Sequence, residues 1–374
     1  MTDPLRPTVA EINVAAIRAN VRTIAAAASA EVCAVVKADG YGHGAARSAW
    51  AAVEGGATSV AVAMVEEGEQ LRWAGIVVPI LVLAEPPLAA VDRMLAAKLT
   101  PVVYSPEMMA ALSAAASAAK PIDIHVKADT GMHRVGVSAP DWASFLDAAS
   151  QAPGLRIAGL MTHLACADEL ESPANVHQLD AFDDFLALAA SRDIRPEQIH
   201  AANTAGALIL PRSRHTMVRA GIGIYGLSAS PEVTAEAHGL LPALTWSTRV
   251  SFAKQLPAGE AASYGHRWAA PVDGWLATLP VGYADGIPRR VGGRIDVIVG
   301  GTRKPIVGTV CMDQTLVWCG DDPVARGDDV VLLGAGGDVA VTADDWALAA
   351  DTITYEIACG IQKRVPRTSV DRER

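Results

Sequence analysis

No Cys-x-x-Cys pair, no basic run and no apolar stretch long enough to span a bilayer occurs in these 374 residues. The five cysteines, Cys33, Cys166, Cys311, Cys319 and Cys359, are widely spaced and odd in number. Neither a disulfide framework nor a zinc site is indicated, no metal site is expected, and a reducing compartment fits. The formal net charge is −10, and basic residues gather only in short pairs such as Arg289-Arg290. That argues against nucleic acid and anionic membranes as partners. The apolar run 77–84 is cut off at once by Glu85-Pro86-Pro87 and is too short for a membrane span. The opening Met1-Thr2-Asp3-Pro4-Leu5-Arg6-Pro7 lacks the basic-then-apolar signature of a signal peptide, so a cytoplasmic location is expected. No Gly-x-Gly-x-x-Gly follows the first strand in the Rossmann manner, and no internal repeat is visible.

What the chain does have is apolar material, 51% of its residues, arranged in alternation. Strand-like runs fall at 32–36, 59–65, 79–84, 100–104, 122–127, 155–162, 198–202 and 217–225. Segments with helical composition lie between them, several opening on start signals such as Ser105-Pro106-Glu107 and Ser172-Pro173. Eight strands, each but the last followed by a helix, predict an α/β fold, a (β/α)8 TIM-type barrel over 13–237. From 238 to the end, short β-type runs at 244–252, 275–281 and 294–299 alternate with Gly-rich turns. These predict a second, mainly β C-terminal domain with one helix near 342–349, to whose sheet the N-terminal 1–12 adds a strand.

The first barrel strand ends in Lys37, followed by a loop with Gly40, Gly42 and Gly44. A lysine at the exit of a buried strand is a candidate for condensation with an aldehyde; the bland alternative is a core strand ending in an exposed lysine. Residues just past the C-terminal ends of barrel strands face the active site. Those positions hold Lys37, Lys127, His163, Asn203 and Thr204, with Arg219 and Gly221-Ile222-Gly223 on the eighth strand. Singly, His163 reads as a core histidine and Arg219 as an ion-pair partner; together they read as a site. A glycine backbone after strand eight suits a phosphate, and phosphate plus a reactive lysine points to pyridoxal 5′-phosphate (PLP).

The stretch from Val35 to Gly44 resembles the PLP-attachment motif of bacterial alanine racemases, PLP enzymes of fold type III. Further blocks resemble the same family in order along the chain: 127–136, Met161-Thr162-His163-Leu164-Ala165, 219–226, Ser263-Tyr264-Gly265, 281–286, 308–313 and Thr354-Tyr355-Glu356-Ile357. The resemblance implies that Lys37 holds PLP covalently and acts as one acid/base, with Tyr264 of a second subunit as the other. It implies a homodimer with shared sites, acting on alanine and supplying D-alanine for peptidoglycan. Tyr41, Thr204, Gly221, Ile222 and Tyr355 would hold the phosphate, and Asn203 would lie beside them. Arg219, steadied by His163, would face the pyridine nitrogen; Arg134 and Met312 would meet the substrate carboxylate, with Asp313 in the same loop. Tyr283, Asp285 and Arg289 would form a constricted access route. Lys127 matches a position carbamylated in several relatives; otherwise it is a plain lysine paired with Asp129 or solvent. Other readings are a broader amino-acid racemase, a decarboxylase on the same scaffold, and a PLP carrier; carriers of this type lack the β domain.

Overall fold

The structure is a computed structural model that describes residues 5–116 and 121–373. Two compact units emerge. One is Ile17–Leu241; the other joins the chain up to Ala16 to everything from Pro242 onward. Strands are numbered along the chain, so β1 (Val9–Asn13) belongs to the second unit.

The first unit is built on β2 (Glu31–Val35), β3 (Ser59–Val62), β4 (Ile80–Val82), β5 (Leu99–Val103), β6 (Ile122–Lys127), β7 (Leu155–Met161), β8 (Gln198–His200) and β9 (Met217–Ala220). They pair in parallel in the order β8-β7-β6-β5-β4-β3-β2-β9. The Thr216 N–H donates to the Ile199 carbonyl at 3.1 Å and the Arg219 N–H to that of Ala202 at 3.0 Å, which brings the two ends of the sheet together. The architecture is the (β/α)8 barrel the alternation predicts. Val32, Val60, Ile80, Val102, Ile124 and Val218 are fully buried or nearly so, as parallel strands covered on both faces require. Each such aliphatic contributes about 1.5–3 kcal/mol through burial.

Several barrel strands are shorter than their apolar runs. The second stops at Val62, the third spans only Ile80–Val82, and the eighth stops at Ala220, after which Ile222–Tyr225 forms a tight 3-10 turn. Apolar character there reflects burial of a turn, which a hydrophobic run cannot distinguish from a strand.

The second unit contains β10 (Leu244–Arg249), β11 (Phe252–Leu256), β12 (Ala261–Ala262), β13 (Trp268–Ala269), β14 (Gly274–Leu279), β15 (Asp296–Val299), β16 (Thr302–Val307), β17 (Thr315–Gly320), β18 (Asp329–Gly336), β19 (Val339–Val341) and β20 (Arg367–Val370). Its main sheet runs β11-β14-β17-β16-β15-β18-β10-β1-β20, and β12 pairs with β13. β1 lies antiparallel to β10, with Val9 opposite Ser247, and parallel to β20. The helix Ala343–Ala350 starts on a reciprocal cap between Thr342 and Asp345. A second helix, Thr354–Gly360, was not foreseen; Asp351 at φ 50° separates the two.

Candidate active site

In the barrel unit, the chain leaves β2 through a turn that propensity alone does not favour. Ala38, Asp39, Gly40 and Tyr41 all have positive φ, between 52° and 62°. Left-handed backbone costs about 1–2 kcal/mol per non-glycine residue, so neighbouring groups must hold it. The Asp39 carboxylate accepts from the Ala45 N–H at 2.9 Å. Glu67 accepts from the Ala38 N–H at 2.6 Å through one oxygen and from the Ala63 and Met64 N–H groups through the other. Strain kept at one place in this way is characteristic of functional sites. It sets Lys37, half-buried at the start of the turn, and Tyr41, buried at its end. The Tyr41 ring packs 5.3 Å from that of Tyr225, whose hydroxyl donates to the Val35 carbonyl at 3.2 Å.

Thr204 and the strand-eight glycines form the next part. The N–H groups of Gly221 and Gly223 both donate to Thr204 Oγ1, at 3.0 and 3.3 Å. A Cβ at Gly221 would stand 2.6 Å from the Tyr41 hydroxyl, so glycine is what lets that hydroxyl approach the backbone. The Tyr41 and Thr204 hydroxyls thus share one spot against the strand-eight backbone. Because Thr204 Oγ1 accepts from two N–H groups, its own proton is directed elsewhere, and the pair of hydroxyl donors suits a phosphate dianion. Asn203 turns elsewhere: its Oδ1 caps the helix Thr204–Ile209 by accepting from the Gly206 N–H at 2.9 Å. Its side chain is a helix cap, where a cofactor contact was expected.

Arg219, in β9, is almost fully buried. Its Nη1 donates to His200 Nδ1 at 2.8 Å and to the His200 carbonyl at 2.9 Å; its Nη2 donates to the carbonyls of Thr162 and Ala201 and to His163 Nδ1, the last at 3.0 Å. Both terminal nitrogens are therefore committed to neutral acceptors. Among the described residues none accepts from Nε, which is left as the donor. Burial lowers the guanidinium to about 10, still cationic at neutral pH. His163 and His200 are pushed well below the ordinary imidazole value, by burial first and Arg219 second, and stay neutral.

Lys127 ends β6 and is 5% exposed. Burial, then Arg219 and Arg134, with a small push from Lys37 and against the pull of Asp129, lower its amine to about 8. Asp129 does not pair with it. Its carboxylate accepts from the N–H groups of Gly131 and His133, both at 3.0 Å, and meets the His133 ring at 3.2 Å. Arg134 sits on the same loop, exposed.

The second unit holds the remaining expected residues. Tyr264 begins a 3-10 turn between Ser263 (φ 67°) and Gly265 (φ 74°), and its ring is 72% exposed. Thr309 donates to the Tyr264 carbonyl at 2.8 Å, and Ser263 Oγ donates to the Thr309 carbonyl at 2.6 Å, so the backbone is pinned while the phenol is presented outward. Met312 is 52% exposed, and Tyr283 is exposed beside it. The Tyr283 N–H donates to the Cys311 carbonyl and the Ala284 N–H to that of Met312, both at 3.0 Å. Any side chain at Gly282 would collide with the Cys311 carbonyl. Arg289 is exposed and lines with Tyr283 and Glu356 a cavity of about 320 Å3. Tyr355 is half-buried on the helix Thr354–Gly360.

Asp285 departs from expectation. It is fully buried, where an access-route residue would be open. Arg6 grips it through both guanidinium ends at 2.6 Å, the Gly282 N–H donates to it at 2.9 Å, and Arg364 stands 3.4 Å away while also binding Asp313 at 2.7 Å. Burial would raise this carboxyl, but Arg6, Gly282 and Arg364 hold it below the usual value. It is the anchor beneath the Tyr283 and Met312 loops. Asp285→Ala strands a guanidinium that keeps only 27% of its side chain in solvent. The expected loss is about 3 kcal/mol, the lower end for breaking a buried pair, measured by urea unfolding at pH 7. A carboxyl depressed on folding contributes stability above its unfolded pKa of about 3.9, lost as pH falls through the folded value. The variant and the wild type should therefore converge in stability as the pH falls below the depressed folded value.

The sequence did not reveal His200 as the partner of Arg219, nor His125, whose Nδ1 lies 2.8 Å from His200 Nε2. Glu67, the brace of the lysine turn, was missed too. Each is a single polar residue in an otherwise ordinary pattern, and only its neighbours give it meaning.

Two family models match the chain: "Alanine racemase, N-terminal domain" over residues 12–229 and "Alanine racemase, C-terminal domain" over 243–369. The alanine racemase of Symbiobacterium thermophilum is 43% identical over 98% of this chain and 97% of its own length. That of Thermobifida fusca is 42% identical over 96% of each. Among solved structures, the alanine racemase of Streptomyces lavendulae superimposes with a TM-score of 0.94 at 40% identity, covering 99% of this chain and 98% of that one. That from Bacillus anthracis with bound L-Ala-P gives 0.90 at 34% identity, covering 99% and 96%. The chain belongs to the alanine racemase family of isomerases.

Proposed function

We propose that this isomerase interconverts L- and D-alanine with PLP, by two bases that reach the substrate from opposite faces, in a homodimer whose sites are completed by a second copy. The observation that carries the reading is Arg219: a buried cation, held by neutral acceptors, with Nε–H left to donate. A permanent donor of this kind binds a pyridine nitrogen without protonating it. Decarboxylases and transaminases of this cofactor class gain from a carboxylate there, so Arg219 favours the racemase over the decarboxylase alternative. The hydroxyls of Tyr41 and Thr204 and the backbone around Gly221 and Ile222 fit the phosphate, with Tyr355 as a further donor. When bound, PLP acts as an electron sink that acidifies the α-hydrogen of an attached amino acid.

Lys37 tethers the cofactor and moves the proton on one face. Tyr264 of a second copy moves it on the other, in keeping with a pinned turn and an outward phenol. Exchange between two faces needs two groups, because one base returns the proton where it came from. Arg134 and the Met312 backbone N–H of the second copy meet the carboxylate, and Tyr283 with Arg289 narrows the approach to small side chains. The product D-alanine would serve peptidoglycan synthesis in the cytoplasm. Among the described residues no helix is long and apolar enough to cross a membrane.

Lys127, with an amine lowered to about 8, has a reactive neutral fraction near neutral pH. We assign it as the site where CO2 adds to the amine with loss of one proton, giving an anion to hold Arg134. With 13C-bicarbonate at pH 7.5, a carbamate carbonyl resonance is expected that Lys127→Ala lacks; the same resonance in both proteins would refute it.

The function is tested by chiral chromatography of L-alanine incubated with the PLP-loaded protein, then by borohydride reduction and peptide mapping. D-alanine should accumulate to the racemic mixture, and the reduced cofactor should be found on Lys37. Attachment to any other lysine, or L-serine turned over faster than L-alanine, would overturn the respective assignment.

A further inference from the structure

Arg219 is one end of a hydrogen-bonded chain that crosses the barrel interior. Its Nη1 lies 2.8 Å from His200 Nδ1, and His200 Nε2 lies 2.8 Å from His125 Nδ1. A guanidinium can only donate. His200 Nδ1 must therefore present a lone pair, which places its proton on Nε2 and makes His125 Nδ1 the acceptor. The proton of His125 is then on its own Nε2, and His125 lines a cavity of about 380 Å3 formed by the N-terminal ends of the strands. The polarity of all three groups follows from the arginine.

The barrel makes specific room for His125. The β6·β7 register slips between Ile124 and His125, so the pairing of Ile124 with Ile157 gives way to that of His125 with Gly159. Such an irregularity re-aims the side chain that follows it. Gly159 faces the imidazole, and a Cβ there would collide with His125 Nδ1. Burial, opposed by Asp123 and reinforced by Arg219, lowers His125 to about 4, so both rings stay neutral and the polarity holds at working pH.

We propose that His125 is a positioning residue: it accepts the proton that Arg219 forces onto His200 Nε2, and so fixes the His200 ring and the guanidinium whose Nε–H faces the site. This rests on the proposed role of Arg219 toward the cofactor ring. Without the acceptor, the buried Nε2–H is unsatisfied, and the His200 ring turns to find a partner at the expense of Arg219.

The test compares His125→Leu, which removes the acceptor, with His125→Asn, whose amide oxygen can take the place of Nδ1. In protein labelled with 15N-histidine, His200 should show a bare Nδ1 and a slowly exchanging Nε2–H. That protection should vanish in His125→Leu and return in His125→Asn. With PLP, kcat should fall about tenfold in His125→Leu with KM changed less than about twofold, and recover in His125→Asn, as for loss of one buried hydrogen bond. Should His125→Leu fail to fold, Gly159→Ala displaces the ring with both histidines present, and the same loss is expected. A proton on His200 Nδ1 in the wild type overturns the proposal. So do equal losses in the Leu and Asn variants, since bulk and not Nδ1 would then be what matters. A wild type that racemises nothing refutes the proposed function instead, while the ring-nitrogen result remains readable.

Discussion

Lys37→Ala is expected to lower racemisation by about 10^4-fold or more, because one substitution removes both a covalent tether and a proton-transfer group. The fold should survive. Lys37 is half-buried at the head of a turn whose hydrogen bonds run through Asp39, Glu67 and backbone atoms, none of which the change touches. The two expected effects can be separated. PLP should leave the variant on gel filtration, whereas the wild type retains it after borohydride treatment. Added methylamine should restore part of the turnover by replacing the missing amine. A variant that keeps roughly a tenth of wild-type turnover would remove Lys37 from the mechanism, since general acid–base transfer alone contributes more than that.

Tyr264→Phe deletes one oxygen from an exposed ring and should cost about 10^2–10^4-fold in turnover, with no measurable change in stability. The signature lies in the isotope pattern. In D2O, the face served by Lys37 keeps exchanging its α-hydrogen with retention, while inversion and exchange from the other antipode fall together. Loss of exchange from both antipodes to the same extent would mean a single base. Mixing the two inactive variants then tests where the tyrosine comes from. If each site takes Lys37 from one chain and Tyr264 from the other, half the dimers are mixed and each has one intact site of two, so roughly a quarter of wild-type activity returns. If both groups act within one chain, mixing restores nothing.

How far the sequence carried this reading depends on the distance over which each feature is encoded. The barrel was legible because alternation of apolar runs and helical segments is a local pattern, as with the Val-rich β2 and the Pro-started helices. Lys37, Lys127, His163 and Arg219 were legible because a barrel puts strand ends on one face wherever the strands begin. The helix cap that Asn203 makes is not legible beside its expected cofactor contact, since a cap and a ligand contact look the same in a sequence. The burial of Asp285 is not legible in the sequence, because the partner that binds it, Arg6, lies 279 positions away.

The amino-acid order alone determined the alternating architecture, the strand-end side chains and the resemblance to one family, all of which repeat or cluster within a few dozen residues. Only the tertiary structure decided that Ala38, Asp39 and Tyr41 adopt left-handed backbone, that Arg219 commits both terminal nitrogens to neutral acceptors, and that two histidines 75 residues apart meet at 2.8 Å. Their signs and directions are set by what packs against them. A guanidinium must donate, a buried N–H must be accepted, and a strained turn needs braces, and those partners are chosen by the closed barrel and not by the neighbouring sequence.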